Sequence, residues 1–482
     1  MLDKFIRFVL HQRLLVMLGT LLVAGAGLFA WKTIPVDAFP DVTSVQVMIL
    51  TDAPGLAPLD VEQQVTAPIE LAMQGLPGVT QVRSLSKAAL SQVIIVLDDK
   101  VDLYFARQLV FQRLQSAREQ LPDWAEPEMG PISTGLGEIY QYTLASETHT
   151  PMELRTIQDW YIAPQLRTIS GVNEVNSFGG FVKQYHVLVN QNRLINYGIT
   201  LADVLEAIER NNANAGGNFL VRGWEQAYVR SLGLIQGIED IENIVLHAQD
   251  GSPVFLRDVA EVKLGPETRQ GAVTRDGQGE AVAGMAIMLK DQNSKLVVEA
   301  VKKAIPKIQA GLPKGVTINP FYDRTALIQA CIGTVSKALV AGSIFVIAVL
   351  FLFLGNFRAS MIVTLSLPFT VFIAFILMGW QGLTANLMSL GGLAIALGMI
   401  VDASIVVCEN IARHLSEKSG RGLSRMEITY EAVREVAKPV VFAILIIVIV
   451  FLPLFSLQQM EGKMFRPLAF TMVFAMAGSL LV

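Results

Sequence analysis

The sequence is poor in the residues that build catalytic and metal centres: 482 positions hold two cysteines and five histidines. Cys331 and Cys408 both sit in apolar surroundings, which excludes a disulfide framework and a zinc-type cysteine spacing. Each reads as a small buried hydrophobe. His11, His149, His186, His247 and His414 show no ligand spacing and read as surface or packing residues. Charge is scarce as well. Only 17% of residues are charged, and a net charge of −4 leaves no basic footprint for nucleic acid. No nucleophile–base set and no phosphate-binding glycine loop is present, so an enzyme is the least favoured class. What the sequence has in excess is apolar: 52% of residues are hydrophobic and mean hydropathy is +0.47, a balance that points to a chain partly embedded in a lipid membrane.

Six long apolar runs stand out, at 14–31, 338–354, 359–379, 386–408, 439–456 and 468–482. A membrane-spanning helix needs about 17–25 such residues. Lys4, Arg7 and Arg13 precede the first run, as in a signal peptide, and Ala24-Gly25-Ala26 offers a weak cleavage signal. The run nevertheless exceeds the usual signal core of about 7–15 residues and reads as an uncleaved anchor. The last run extends to roughly 22 Å of helix, short of a crossing, so a chain cut inside its sixth span is expected. Lys and Arg placement sets the orientation. They gather in residues 1–13, at Arg358 in the 355–358 turn, and in 412–438 as Arg413, Lys418, Arg421, Arg425, Arg434 and Lys438. The opposite turns carry none at 380–385 and only Lys463 and Arg466 at 457–467. Residues 1–13 and 412–438 are then cytoplasmic, and 32–337 lies outside, which in a bacterium is the periplasm beyond the inner membrane.

The external stretch alternates short strands with amphipathic helices. In 32–135, "VQVMIL", "VTQVRSLSK" and "SQVIIVLDD" read as strands, with "LDVEQQVTAPIELAMQGL" and "DLYFARQLVFQRLQSAREQL" as helices. That β-α-β-β-α-β order is the split βαβ, ferredoxin-like plan. A second copy occupies 136–181 and 269–337: "GLPGVTQVRSLS" (75–86) and "TISGVNEVNSFG" (168–179) share a helix end, a turn, V-x-x-V and a serine. Between its halves, 182–268 reads as an inserted α+β subdomain with a pair of polar strands around "NAGGNFLVRGWEQAYVR". Such an arm either closes on itself as a hairpin or pairs with another chain. The expected fold class is therefore an α-helical membrane bundle of six spans plus a large α+β region of repeated ferredoxin-like modules with an inserted docking subdomain.

The fourth run departs from the others. "GMIVDASIVVCENIARHL" (398–415) places Asp402 and Glu409 among Ile, Val and Met. At about 100° per residue the two acids differ in direction by only about 20°. Gly391, Ala394, Gly398 and Ile405 fall near the same direction, giving a face of small residues and two carboxylates that is expected to point into the bundle. Small residues let a neighbouring helix come close. The other runs contain no Asp, Glu, Lys or Arg, so the acids pair with something outside this chain or are neutral. A protonatable pair in a membrane fits a proton relay. The plainer alternatives are a neutral Asp402 hydrogen-bonded to Ser404 or backbone, and a Glu409 that snorkels to the interface.

One span, a large external region of duplicated modules, then five clustered spans resembles half of a resistance–nodulation–division transporter. "IPVDAFPDVTSVQV", "APGLAPLDVEQQVTAPIE", "TGLGEIYQY", "LRTIQDWYIAPQLRTISGVNEVNSFGG", "TANLMSLGGLAIALGMIVDASIVVCENIARHL" and "EGKMFRPLAFTMVFAMAG" are similar to its heavy-metal efflux branch, over essentially the whole chain. The resemblance implies that Asp402 and Glu409 relay protons, that the external modules form half of a periplasmic porter, and that the arm reaches into a neighbouring subunit. It also implies a homotrimer working with a periplasmic adaptor and an outer-membrane channel, with the metal cation as cargo and no resident cofactor. Drug-exporting members carry two adjacent aspartates here; Asp402-Ala403 favours the metal branch.

The metal is left open. Divalent-cation members carry a further Asp where this chain has Ala396, and copper/silver members carry methionines where Ile400, Val407 and Thr268 stand, although Met388 is retained. Glu138 in "TGLGEIYQY" is a hard oxygen ligand suited to a divalent ion such as zinc, cobalt or cadmium. Proton-driven divalent export is thus the favoured expectation. Copper/silver export, drug or amphiphile export, and a non-transporting regulatory membrane protein are the alternatives.

Overall fold

The computed structural model describes residues 2–249, 252–269, 271–354, 357–417 and 424–482; Lys418 and Arg421 lie outside them. Six described helices are long and apolar enough to cross a membrane by length and composition: Arg13–Thr33, Arg324–Leu354, Phe357–Trp380, Leu387–Glu417, Arg425–Phe455 and Gln459–Leu481. They outrun the apolar stretches at their polar ends. The second begins at Arg324 rather than near 338, and the sixth at Gln459 rather than 468. Backbone hydrogen bonding carries a helix beyond the residues that hydrocarbon requires to be apolar. The fifth starts at a capping box in which Ser424 accepts from the Glu427 N–H and the Glu427 carboxylate accepts from the Ser424 N–H. Before the first lies a short amphipathic helix, Leu2–His11. It docks on the fifth: Arg7 Nε donates to Tyr430 Oη (3.1 Å), and Tyr430 Oη donates to Asp3 Oδ1 (2.5 Å). That last bond holds the Asp3 carboxyl below its usual range.

The first α+β module has strands β1 (Gln46–Ala53), β2 (Val79–Lys87), β3 (Ala89–Leu97) and β4 (Pro127–Met129), in the order β2-β3-β1-β4 with antiparallel pairs. Two helical segments cover one face. Val47, Ile49, Val93 and Ile95 meet Ile69 and Val110 there, all fully or almost fully buried. The second module uses β5 (Glu138–Ala145) and β6 (Val172–Phe178), with β7 (Lys183–Val189) leading away into the insert. The chain forms β8 (Gly216–Arg222), β9 (Glu225–Arg230), β10 (Val245–Gln249), β11 (Ser252–Phe255) and β12 (Ala260–Pro266), then returns for β13 (Val282–Met288) and β14 (Thr317–Asp323). Sheet order β14-β5-β13-β6 closes the second module, and antiparallel β7–β12 is the two-stranded stalk of the insert.

The internal duplication extends to irregularities. Each module's first helix contains a π-turn, Glu62–Thr66 and Gln158–Ile162, followed at once by Ala-Pro. The Ala67 N–H donates to Glu62 O and the Ala163 N–H to Gln158 O, each five residues back. Pro68 and Pro164 have no N–H to offer and crowd the preceding turn, and widening that turn accommodates the ring. The glycines of the repeated motif match too. Gly78 (φ +80°) and Gly171 (φ +90°) occupy the left-handed region, and a Cβ on either would press on a valine, Val101 or Val297.

Candidate functional site

The fourth long helix carries the acids, and its start is fixed by Asn386, whose Oδ1 accepts from the Met388 N–H (2.9 Å) and the Ser389 N–H (3.0 Å). Asn386 and Ser389 are fully buried. One side of the helix, with Gly392, Leu393, Ala396 and Ile400, is buried against its neighbours. At Gly392 the sixth helix comes so close that a Cβ would lie 2.5 Å from Thr471 Oγ1 and 2.6 Å from Leu468 O.

Asp402 and Glu409 are exposed on the other side. Gly391 and Gly398 beside them would meet nothing within 4 Å if given a Cβ. Neither carboxylate makes a hydrogen bond or ion pair with any described residue. Ser404 turns to Ser366 of the third helix (3.3 Å) and not to Asp402. The expectation that this face points into the bundle is therefore corrected. The close-packed seam of the helix runs through Gly392 and Ala396; on the other side Asp402, Glu409 and Gly398 are exposed, while Gly391, Ala394 and Ile405 are half-buried.

Toward the fifth helix, residues that sequence reading passed over form a polar knot. His414, taken above for a surface or packing residue, is buried, with Nε2 2.7 Å from Glu435 Oε2. Asn410 Nδ2 donates to Ala432 O (2.8 Å), and Arg413 Nη2 donates to Asn410 Oδ1 (2.8 Å). A second missed pair lies at the other end of the bundle. Arg324 donates through Nη2 (2.8 Å) and Nε (3.2 Å) to Asp37 Oδ1, with side-chain exposures of 6% and 21%. Asp37 also lies beside the fourth helix, since its N–H donates to Ala385 O and the Leu387 N–H donates to Ala38 O. Its only sequence signal is its place in the "IPVDAFPDV" stretch.

The proposed metal ligands remain dispersed. Glu138 is exposed at the start of β5, where Gln141 Nε2 donates to its Oε2 (3.0 Å). Met388 is half-buried in the first turn of the fourth helix. Ala396 and Ile400 are buried in the bundle, and Thr268 is exposed in a cleft of about 400 Å³ with Arg155, Phe178 and Glu267. Among the described residues no group of three or more His, Cys, Asp or Glu side chains could hold a metal ion.

Residues 5–482 match the AcrB/AcrD/AcrF family. The chain belongs to this family of resistance–nodulation–division transporters. Its relatives include the cation efflux system protein CzcA of Alcaligenes sp. (strain CT14), 45% identical over 497 residues that cover 100% of this chain and 46% of that protein. The cation efflux system protein CusA of Escherichia coli (strain K12) is 40% identical, with coverage of 100% and 47%. A crystal structure of a heavy metal efflux pump superposes with a TM-score of 0.89 at 37% identity, covering 99% of this chain and 47% of that one. The chain spans about half the length of the curated relatives it matches. The family is one of transporters, in keeping with the absence of an enzyme signature, and six candidate spans mark a multi-pass membrane protein.

Proposed function

We propose that this chain forms one half of a proton-driven heavy-metal efflux pump of the bacterial inner membrane, with half of its periplasmic porter. Its six long helices cross that membrane, residues 32–337 stand in the periplasm as two ferredoxin-like modules with a docking insert, and the complete transporter is a homotrimer joined to a periplasmic adaptor and an outer-membrane channel. The observation that carries this reading is the pair of exposed acids on the fourth helix. Two carboxylates on a glycine-lined strip are expensive against lipid, and the strip admits the close approach of another helix. A helix bearing a cation, docked there, would set up a site whose protonation alters its charge and hence its packing, which is what a secondary active antiporter requires.

For the cargo we favour divalent ions such as zinc, cobalt or cadmium over copper or silver. Glu138 is a hard, accessible oxygen ligand at the start of the interior strand β5, whereas Ile400, Val407 and Thr268 occupy positions where soft thioether ligands would be needed. Copper/silver export is the second reading, kept by Met388 and Ala396.

In proteoliposomes of the complete transporter, Asp402→Asn should bring pH-gradient-driven zinc export to background while trimer assembly is unchanged. Export at the wild-type rate would remove Asp402 from the relay. A resistance panel with zinc, cobalt, cadmium, copper and silver then decides the cargo: protection confined to the last two overturns the divalent assignment.

A further inference from the structure

The acid-bearing helix has to act on the first module, and besides the backbone contacts at Asp37 and Ala38 one charged side chain on the sixth helix reaches that module. Lys463 Nζ donates to Asp99 Oδ1 (2.6 Å) and to Thr43 O (2.8 Å). Thr43 leads into β1 and Asp99 follows β3, and these strands are antiparallel neighbours with Gln46 opposite Val96. One ammonium therefore holds the same end of both central strands of the first module. A compact ammonium with three donors suits this task.

Below Lys463 the sixth helix has no slack. The Leu468 backbone and the Thr471 hydroxyl abut Gly392 of the fourth helix, and a Cβ at Gly478 would lie 3.2–3.3 Å from Ile373 and from Thr370 O of the third. Lys463 is five residues, about 7.5 Å of helix, from Leu468. A packed seam of this kind moves as a body instead of deforming. Displacement of the fourth helix is thus passed to the sixth, and the only side-chain charge pair between the described residues of the sixth helix and the first module is Lys463–Asp99.

We propose that Lys463 is a coupling residue: it transmits movement of the Asp402-bearing helix to the β1–β3 end of the first porter module. The proposal rests on the proton-driven reading above. Lys463 is not a relay member, because it faces the module and not the acid strip. Its side chain is 22% exposed and that of Asp99 40%, so water can satisfy both partners when the bond is cut and the fold survives.

The test reconstitutes the complete transporter in proteoliposomes with an imposed pH gradient and zinc, and records internal pH and zinc flux together. Lys463→Met should lower zinc export about tenfold, within the range such couplings carry, while proton flux stays within about twofold of wild type. Lys463→Arg should keep both, and Lys463→Asp combined with Asp99→Lys should recover part of the export that Lys463→Met loses. Proton and zinc fluxes that fall in the same proportion, or a Lys463→Met protein with the wild-type flux ratio, overturn the coupling role. If wild-type zinc export is indifferent to the gradient, the proton-driven reading fails first and the coupling role with it; Asp402→Asn, run in parallel, tells these cases apart.

Discussion

Asp37 and Arg324 lie 287 positions apart and meet in the least exposed charge pair between the described long helices and the first module. Removing one partner strands the other. With Asp37→Ala, a guanidinium with 6% of its side chain exposed loses its counter-charge, and stability should fall by about 3 kcal/mol. Replacing both with Leu should cost less than Asp37→Ala alone, because no uncompensated charge is left. Denaturant unfolding of the detergent-purified wild type and the two variants checks the order. The residue scale also shows what sequence reasoning can reach. Asp402 and Glu409 were legible because they interrupt an apolar run, and their shared direction follows from a spacing of seven. Asp37, Arg324 and His414 carried no such contrast. Arg324 and His414 sit beside other polar residues and Asp37 lies in a short connecting stretch instead of a long apolar run, and their partners are distant in the chain or on another helix, where periodicity is blind.

At the scale of elements, the fourth helix presents two adjacent glycines to different surroundings. Gly392 touches the sixth helix, whereas Gly391 faces open space. Gly392→Ala must displace the Leu468 backbone and the Thr471 hydroxyl, and should destabilise the chain by about 1–3 kcal/mol. Gly391→Ala should be neutral or slightly stabilising in the same chain, since alanine favours helix by up to about 1 kcal/mol. Thermal unfolding in detergent compares them, and equal losses would mean that the seam is not where the structure has it. A helical wheel groups Gly391 with the acids, but it does not say which side meets a neighbour; only packing decides that. The same limit explains the π-turns. The pattern reads the first helix of each module as one regular amphipathic helix, yet the extra residue in the turn before Ala-Pro is invisible to a 3.6-residue period. The β-α-β-β-α-β order was legible because strand and helix periods differ and the turn glycines repeat.

At the scale of the whole molecule, the β8–β9 hairpin is the part that this chain alone does not explain. Both strands are exposed along their length and, among the described residues, pair with no other strand. Phe219, Leu220, Val221 and Tyr228 are exposed, and Trp224, next to the left-handed Gly223 at the turn, is bare. A two-stranded hairpin is marginal by itself in water, and its open edges invite another chain. So many large apolar side chains on a projecting arm are the composition of an interface, not of a solvated loop. Under the homotrimer reading, the arm's occupant surface is a second copy of this chain. Replacing residues 216–230 with a short Gly/Ser linker should then leave the melting temperature of the insert unchanged, because its core (Leu194, Val204, Ile241, Leu256) lies elsewhere. The same change should shift the complete transporter from trimer to monomer in native mass spectrometry. Trimers that persist without the arm would assign assembly to the membrane bundle and leave the hairpin to a different partner, so the experiment separates the two ways a bare hairpin can be useful.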